Sequence, residues 1–459
     1  MTNTTHPFTK RPHRTLLALS IPVLVSMTAE PLTALIDTAF VASLGSVSLS
    51  ALGVGTTALS SIFWIFNFLS IGTQTEVAQA DGKGKPQQAG SIASLAHVMA
   101  AGFGLLLIVL LIPSAAWLAS LLGADGEVQA QAISYMQIRL YGAPAVLLMM
   151  VTFGALRGLQ DMRTPLWIAI GVNLLNVMLD WLFIFGTASF PGMGVAGSAL
   201  ASTISQWLGA LVGVWVVQRK LGLSHQFALR DATNLLKVGS DLFIRTGLLT
   251  LFLVFTTRTA TRIGPDAGAA HQAIRQVYMF TALSLDAYAA TVQSLVGYFI
   301  GSGSVSWAKR VVNVGFWWSL GTGVVLGVVL WLGRDFVIEL LVPETAVFIF
   351  LPAWSISAIS QPINSLAFLT DGVHWGTGDY RFLRNAMILA TLIAAVAVWR
   401  IDTTLPDALV WVWVATAIWV LVRGILGLLR IYPGIGNSPF AYMAPQTLPT
   451  GEGAQFSSD

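Results

Sequence analysis

TLLALSIPVLVSMTAEPLTALIDTAFVAS, residues 15–43, decides between a soluble and a membrane fold. The run exceeds the roughly 20 apolar residues that cross a bilayer core. Its only charged residues are Glu30 and Asp37. Seven positions apart, they share one face of a helix. Pro22 and Pro31 lie in the same run, and an internal proline removes a backbone donor and kinks a helix. The run is too long for the apolar core of a cleavable signal peptide, and no small-residue cleavage site is evident. An acid at bilayer depth is costly and ordinarily faces a cavity or a partner. Asp37 is therefore the first candidate functional residue.

Working outward, similar runs recur at about 50–75, 89–121, 130–156, 165–187, 194–218, 235–262, 269–300, 311–333, 346–371, 383–400 and 407–430. With the first, they predict an all-α, polytopic membrane protein of twelve transmembrane helices. Composition agrees: 55% of the 459 residues are hydrophobic and 10% are charged, against roughly 25% charged in soluble domains. Cysteine is absent, which excludes disulfides and thiolate chemistry. A net charge of +3 is no nucleic-acid signal, so no nucleic-acid partner is expected. Lys and Arg fall sixteen on one side, three on the other and five within spans. That bias predicts both termini in the cytoplasm of a multi-pass inner (plasma) membrane protein.

The halves repeat. A shift of 218 places Pro144 on Pro362, Gly154 on Gly372, Gly158 on Gly376, Asp161 on Asp379 and Arg163 on Arg381. A shift of 219 places Gly45 on Gly264, Gln74 on Gln293, Gly82 on Gly301 and Gly84 on Gly303. Six spans per repeat is an even number, so the halves keep one orientation about a pseudo-two-fold along the membrane normal, as in a transporter whose bundles rock about a central cavity. The expected organisation is a cytoplasmic segment 1–14, an N-terminal lobe 15–218, a cytoplasmic linker 219–234, a C-terminal lobe 235–430 and a disordered tail 431–459.

The other intramembrane polar residues complete the candidate site. Asn173, Asn176 and Asp180 follow i, i+3, i+7 and form one stripe on an apolar helix. An acid beside amide oxygens can hold a proton or a small hard cation such as sodium. Asn173 alone reads as an interhelical hydrogen-bonding residue. In the second half stand Asp286, Asp371 and Gln293. Gln206 and Glu30 are further polar candidates for substrate contact. Asp241 and Arg245, at i, i+4, are expected to neutralise each other. Arg275, eleven residues before Asp286, is a candidate partner for it. No phosphate-cradling loop, His-Glu-x-x-His or Gly-x-Ser-x-Gly is found, so no enzyme is expected, and pumping would draw on an ion gradient rather than a cofactor.

The chain resembles the multidrug and toxic compound extrusion (MATE) transporters, particularly the DNA-damage-inducible F branch. The resemblance rests on Pro31 with Ile36-Asp37-Thr38-Ala39, on Ala78-Gln79-Ala80 with Gly82-Lys83, and on Asn173 to Asp180. It rests further on Gly194 to Ala201, on Asp241 with Arg245, on Leu285-Asp286 and on Asp371-Gly372. It implies two six-helix bundles forming a V-shaped cleft. Coupling is implied at Asp37, with Asn176 and Asp180 in the same N-lobe cavity, a helix that bends at its proline on protonation, and a hydroxyl ligand at Ser198 or Thr203. Gln293 departs from the pattern, standing where relatives carry a glutamate, and this concentrates coupling on the N-lobe.

The expected function is a monomeric secondary antiporter that exports organic cations and drugs among membrane lipids in exchange for H+ or Na+. The alternative from the same superfamily is a lipid-linked oligosaccharide flippase, which the acids disfavour. A major-facilitator fold is disfavoured because Asp81-Gly82-Lys83-Gly84-Lys85-Pro86 lacks its Asp-Arg signature.

Overall fold

The structure is a computed structural model that describes residues 6–187, 190–223 and 229–441, with the backbone alone for residues 190 and 229–235. In chain order the N-terminal half holds α1 (Pro7–Lys10), α2 (Pro12–Ala42), α3 (Ser46–Ile65), α4 (Asn67–Gly82), α5 (Pro86–Leu121), α6 (Gly126–Leu140), α7 (Ala143–Gly158), α8 (Arg163–Phe185) and α9 (Val195–Leu221). The C-terminal half holds α10 (Leu229–Ile263), α11 (Pro265–Gly301), α12 (Val305–Leu332), α13 (Arg334–Leu341), α14 (Val347–Ile359), α15 (Gln361–Thr377), α16 (Tyr380–Trp399) and α17 (Ala408–Ile431). A two-residue antiparallel ladder, β1 (Gly186–Thr187) with β2 (Phe190–Pro191), closes the turn between α8 and α9.

Among the described residues, nine helical stretches are long and apolar enough to cross a membrane, with α3 and α4 joined as one. The count rises to eleven when the bent pairs α6–α7 and α14–α15 are each taken as one span. The remaining expected span is α11, long enough at 37 residues but less apolar. It lies between neighbours rather than against lipid, packing on α15, α4, α12 and α2, so its sequence need not be uniformly apolar.

The two bends have one cause. The α6–α7 pair turns by 50° and the α14–α15 pair by 47°. Each break is followed at once by a proline, Pro144 or Pro362, which cannot donate to the helix before it. Turns repeat likewise. Gly84 and Gly303 close the connections after α4 and α11 with φ of +67° and +72°, a region that glycine enters without a Cβ clash.

Small residues set the packing inside each half. A Cβ on Gly154 would lie 2.5 Å from the Ser70 carbonyl oxygen, and one on Gly372 would lie 2.3 Å from that of Ala289. Gly158 meets the Gln74 carbonyl at 2.8 Å, and Gly376 meets the Gln293 carbonyl at 2.5 Å. Thus α4 against α7 is the same contact as α11 against α15. The loop aspartates repeat as well. Asp161 pairs with Lys220 near the end of α9, and Asp379 pairs with Arg430 near the end of α17 at 2.8 Å.

Three expected boundaries are corrected. Part of the segment 1–14 is structured: α1 inserts Phe8, fully buried, beside Phe299 with ring centroids 5.9 Å apart, and α2 begins at Pro12. The linker 219–234 is shorter than expected, because α9 runs to Leu221 and α10 starts at Leu229; residues 224–228 lie outside the described residues. The tail folds back at first: Arg430 donates to the carbonyls of Ile435 and Asn437 at 2.7 and 2.8 Å, and Phe440 is buried. Residues 442–459 lie outside the described residues.

Candidate functional site

α2 changes surroundings along its length. Leu16 and Val23, in its first half, are buried against α11 and α12 of the other half of the chain. Asp37 lies 25 residues beyond Pro12, roughly 37 Å along the axis at 1.5 Å per residue. There most residues from Glu30 to Ala39 are exposed, and the helix rests on α8 and α3 alone among its larger neighbours. Both prolines lie inside α2, and the helix continues through them. Pro31 leaves the Met27 carbonyl without its helical donor, six residues before Asp37.

The Asp37 carboxyl meets that of Asp180 on α8. Asp180 is fully buried, and neither of its oxygens finds a hydrogen-bond donor; one oxygen of Asp37 is likewise buried and unpartnered. No salt bridge holds either acid among the described residues. Arg139 on α6 acts on both at longer range, and the buried Tyr135 lies one turn away beside it. Arg139 is held instead by Gln206 on α9, donating at 2.7 Å.

The remaining N-lobe candidates divide between this pair and its surroundings. Asn176 is buried and donates to the Ser202 hydroxyl at 3.3 Å, tying α8 to α9. Ser198 stands beside Asp180 without an ordinary hydrogen bond of its own. Thr203 donates to the Ile138 carbonyl at 3.2 Å, at the α6–α7 bend. Asn173 donates to the Ala169 carbonyl of its own helix at 2.9 Å. Glu30 is exposed on α2.

The second half is built differently. Asp371 on α15 is clamped by two arginines, Arg245 from α10 and Arg423 from α17, the latter at 2.6 Å. All three are buried. The expected Asp241–Arg245 pair is not formed: Asp241 receives Arg384 from α16 at 2.6 Å, while Arg245 turns to α15. Each residue has a closer partner on a different neighbouring helix than along its own turn. Arg275 donates to Thr257 at 3.2 Å and does not reach Asp286; the cations acting on Asp286 are Arg245, Arg157 and Arg423. Eleven residues of helix separate Arg275 from Asp286 by roughly 16 Å, beyond the reach of two side chains. Gln293 on α11 donates to the Ile71 carbonyl and the Thr75 hydroxyl of α4, each at 2.9 Å.

Sequence reading did not assign Arg139 or Tyr135 to the acid pair. The i, i+4 spacing of Tyr135 and Arg139 beside a proline bend was the available signal. Among the described residues no cluster of three or more His, Cys, Asp or Glu side chains could hold a resident metal.

Bent spans repeated about a pseudo-two-fold, with two acids lacking an ion pair facing each other between α2 and α8, define a multi-pass membrane transporter. The MatE family model matches residues 22–182 and 242–399, one block in each half, and the chain belongs to this family. The chain is 29% identical to DNA damage-inducible protein F of Escherichia coli over 417 residues, 89% of each chain. It is 28% identical to DETOXIFICATION 44, chloroplastic, of Arabidopsis thaliana, over 94% of this chain and 84% of that one. Its fold matches a crystal structure of a MATE protein in the bent conformation with a TM-score of 0.84 at 21% identity, covering 91% of this chain and 94% of that one. An outward-facing multidrug resistance MATE transporter matches at 0.83 with the same identity and coverage.

Proposed function

We propose that the chain is a secondary antiporter that exports organic cations and drugs in exchange for protons, or sodium, by alternating access. The carrying observation is the Asp37–Asp180 pair, three of whose oxygens are buried without donors, with no ion-pair partner. Two carboxyls in contact titrate as a unit. A proton placed between them supplies the missing donor, and a lipophilic cation offers the alternative charge balance. Proton entry neutralises the pair and removes the attraction for the cation, so ion and substrate compete for one site. Sodium could bind the same acids with the Asn176 amide oxygen, which is hard-ligand chemistry.

The clamped Asp371 supports placing the exchangeable acids in the N-lobe, since two guanidiniums already satisfy it. The names of relatives point the same way: NorM of Thermotoga maritima, 26% identical over 69% of each chain, is called a probable multidrug resistance protein. A flippase for an anionic lipid-linked sugar gains no support from unpaired acids. The two family blocks and the lysines at the α4–α5 turn fit two lobes in an inner membrane, with both termini cytoplasmic. The chain would act as a monomer.

Proteoliposomes loaded with ethidium or a phosphonium dye test this. An imposed pH gradient, and separately a sodium gradient, should drive dye movement in the unaltered protein, and Asp37→Asn should abolish the gradient-driven component. Full transport by Asp37→Asn would remove that residue from the mechanism. A response to sodium alone would assign the coupling ion.

A further inference from the structure

Hydrogen bonds that join the two halves cluster at the end of the molecule carrying Lys83 and Lys85, and four of them form two pairs related by the internal repeat. Gln74 on α4 donates to the Ala290 carbonyl at 2.7 Å, and Gln293 on α11 donates to the Ile71 carbonyl at 2.9 Å. A shift of 219 carries Gln74 to Gln293 and Ile71 to Ala290. Thr75 donates to the Trp375 carbonyl at 2.8 Å, and Ser294 to the Arg157 carbonyl at 2.5 Å. The repeat carries Thr75 to Ser294 and Arg157 to Trp375.

The backbone contacts obey the same rule. A Cβ on Gly82 would lie 2.0 Å from the Tyr298 carbonyl, and one on Gly301 would lie 2.1 Å from the Gln79 carbonyl. On the axis itself, a Cβ on Gly297 would meet that of its own repeat mate, Ala78, at 2.9 Å. Helices α4 and α11 therefore meet about the pseudo-two-fold with no side chain to spare. The Asp37–Asp180 pair lies toward the other end, where α2 is exposed.

We propose that this seam is the inner gate of the transport cycle, and that Gln74, Gln293, Thr75 and Ser294 are positioning residues whose two-fold-related hydrogen bonds hold it shut. The bonds run from side chains to backbone carbonyls, so no ion or substrate is needed to form them. Opening the gate breaks both members of each pair together, because a rigid lobe cannot move away from one without leaving the other. The seam thus behaves as one cooperative contact rather than as four separate bonds. An amide at position 293 also makes closure independent of pH: it donates in every protonation state of the acids. A carboxylate there would present an acceptor to the Ile71 carbonyl.

This inference rests on the reading of the chain as an alternating-access transporter, but its test needs neither substrate nor coupling ion. The chain has no cysteine, so introduced pairs report cleanly. Spin labels at Lys85→Cys with Ser306→Cys span the seam end, and labels at Ser120→Cys with Asp335→Cys span the opposite end. The unaltered seam should give a short, narrow distance at the Lys85 end. Gln74→Ala together with Gln293→Ala should raise the ratio of open to closed molecules by about two- to tenfold per bond lost, with the opposite end closing in step. Each single variant should open the seam less than the double variant, and Gln293→Ala, which also loses the bond to Thr75, should open it at least as far as Gln74→Ala. Gln293→Glu should open the seam as pH rises. Gly82→Ala, a wedge that removes no hydrogen bond, should open it as well. An unchanged seam distance in the double variant, or in Gly82→Ala should the double variant not fold, overturns the proposal. Loss of dye transport with the seam still opening on cue would instead indict the proposed substrate and leave the gate standing.

Discussion

At the scale of single residues, the two halves place their acids in opposite circumstances. Asp371 shares two buried arginines, whereas Asp37 and Asp180 face each other with no ion pair and with Arg139 only at longer range. Removing one member of a buried ion pair typically costs about 3–5 kcal/mol, because its partner is left charged and dry. Asp371→Asn strands two guanidiniums, so its thermal unfolding midpoint in detergent should drop sharply. Asp180→Asn, with no ion pair to break, should leave that midpoint near the parent value while losing coupled transport. Outside the membrane, burial pushes the Asp161 carboxyl up, but hydrogen bonds from Lys220 and Thr164 outweigh it and hold the group below its ordinary value. A lowered folded pKa means this contribution is present above the unfolded value of 3.8 and is lost as pH falls through the folded one. Asp161→Asn should therefore flatten the acid limb of a melting-temperature profile between about pH 5 and 2; an unchanged limb would assign the acid sensitivity elsewhere.

At the scale of helices, glycine and proline do in each half what the other half needs. Pro144 and Pro362 bend the same span, and Gly158 and Gly376 let the carbonyls of Gln74 and Gln293 approach. A methyl group at either glycine must displace backbone, and overpacking of this kind costs about 1–3 kcal/mol. Gly158→Ala and Gly376→Ala should destabilise by similar amounts, measured by thermal unfolding, since the two contacts are copies. This layer was legible in the sequence because chain geometry, not distant partners, dictates where a proline or glycine must stand. Of the polar stripe on α8, Asn176 and Asp180 are buried, while Asn173 is half-buried and bonds to its own helix. The pairings between helices were not legible. Helical spacing offered Arg245 to Asp241 and Arg275 to Asp286, yet Arg245 binds Asp371, 126 residues away, and Asp241 binds Arg384. Spacing ranks neighbours on one helix, while packing brings in partners from other helices, Asp371 on α15 and Arg384 on α16. Arg139 was missed beside the acids on the same ground.

At the scale of the whole molecule, the order of the parts decides access. The halves are tied at the Lys83 end by hydrogen bonds that need no ion, and the Asp37–Asp180 pair sits toward the other end. Under the proposed mechanism a charge change near Asp37 would have to be felt across the length of α2, whose first half is anchored on the C-lobe through Leu16 and Val23. A helix gripped at one end and loose at the other is suited to that task. A surface on which Ala78 meets its own counterpart has a further meaning. It has the symmetry that a homodimer face would have: a chain of half this length, bearing such a surface, could pair with a second copy of itself. The present polypeptide reads as two such partners fused end to end. Fusion released each from having to match the other, and one could keep its acids free while its twin buried Asp371 among arginines.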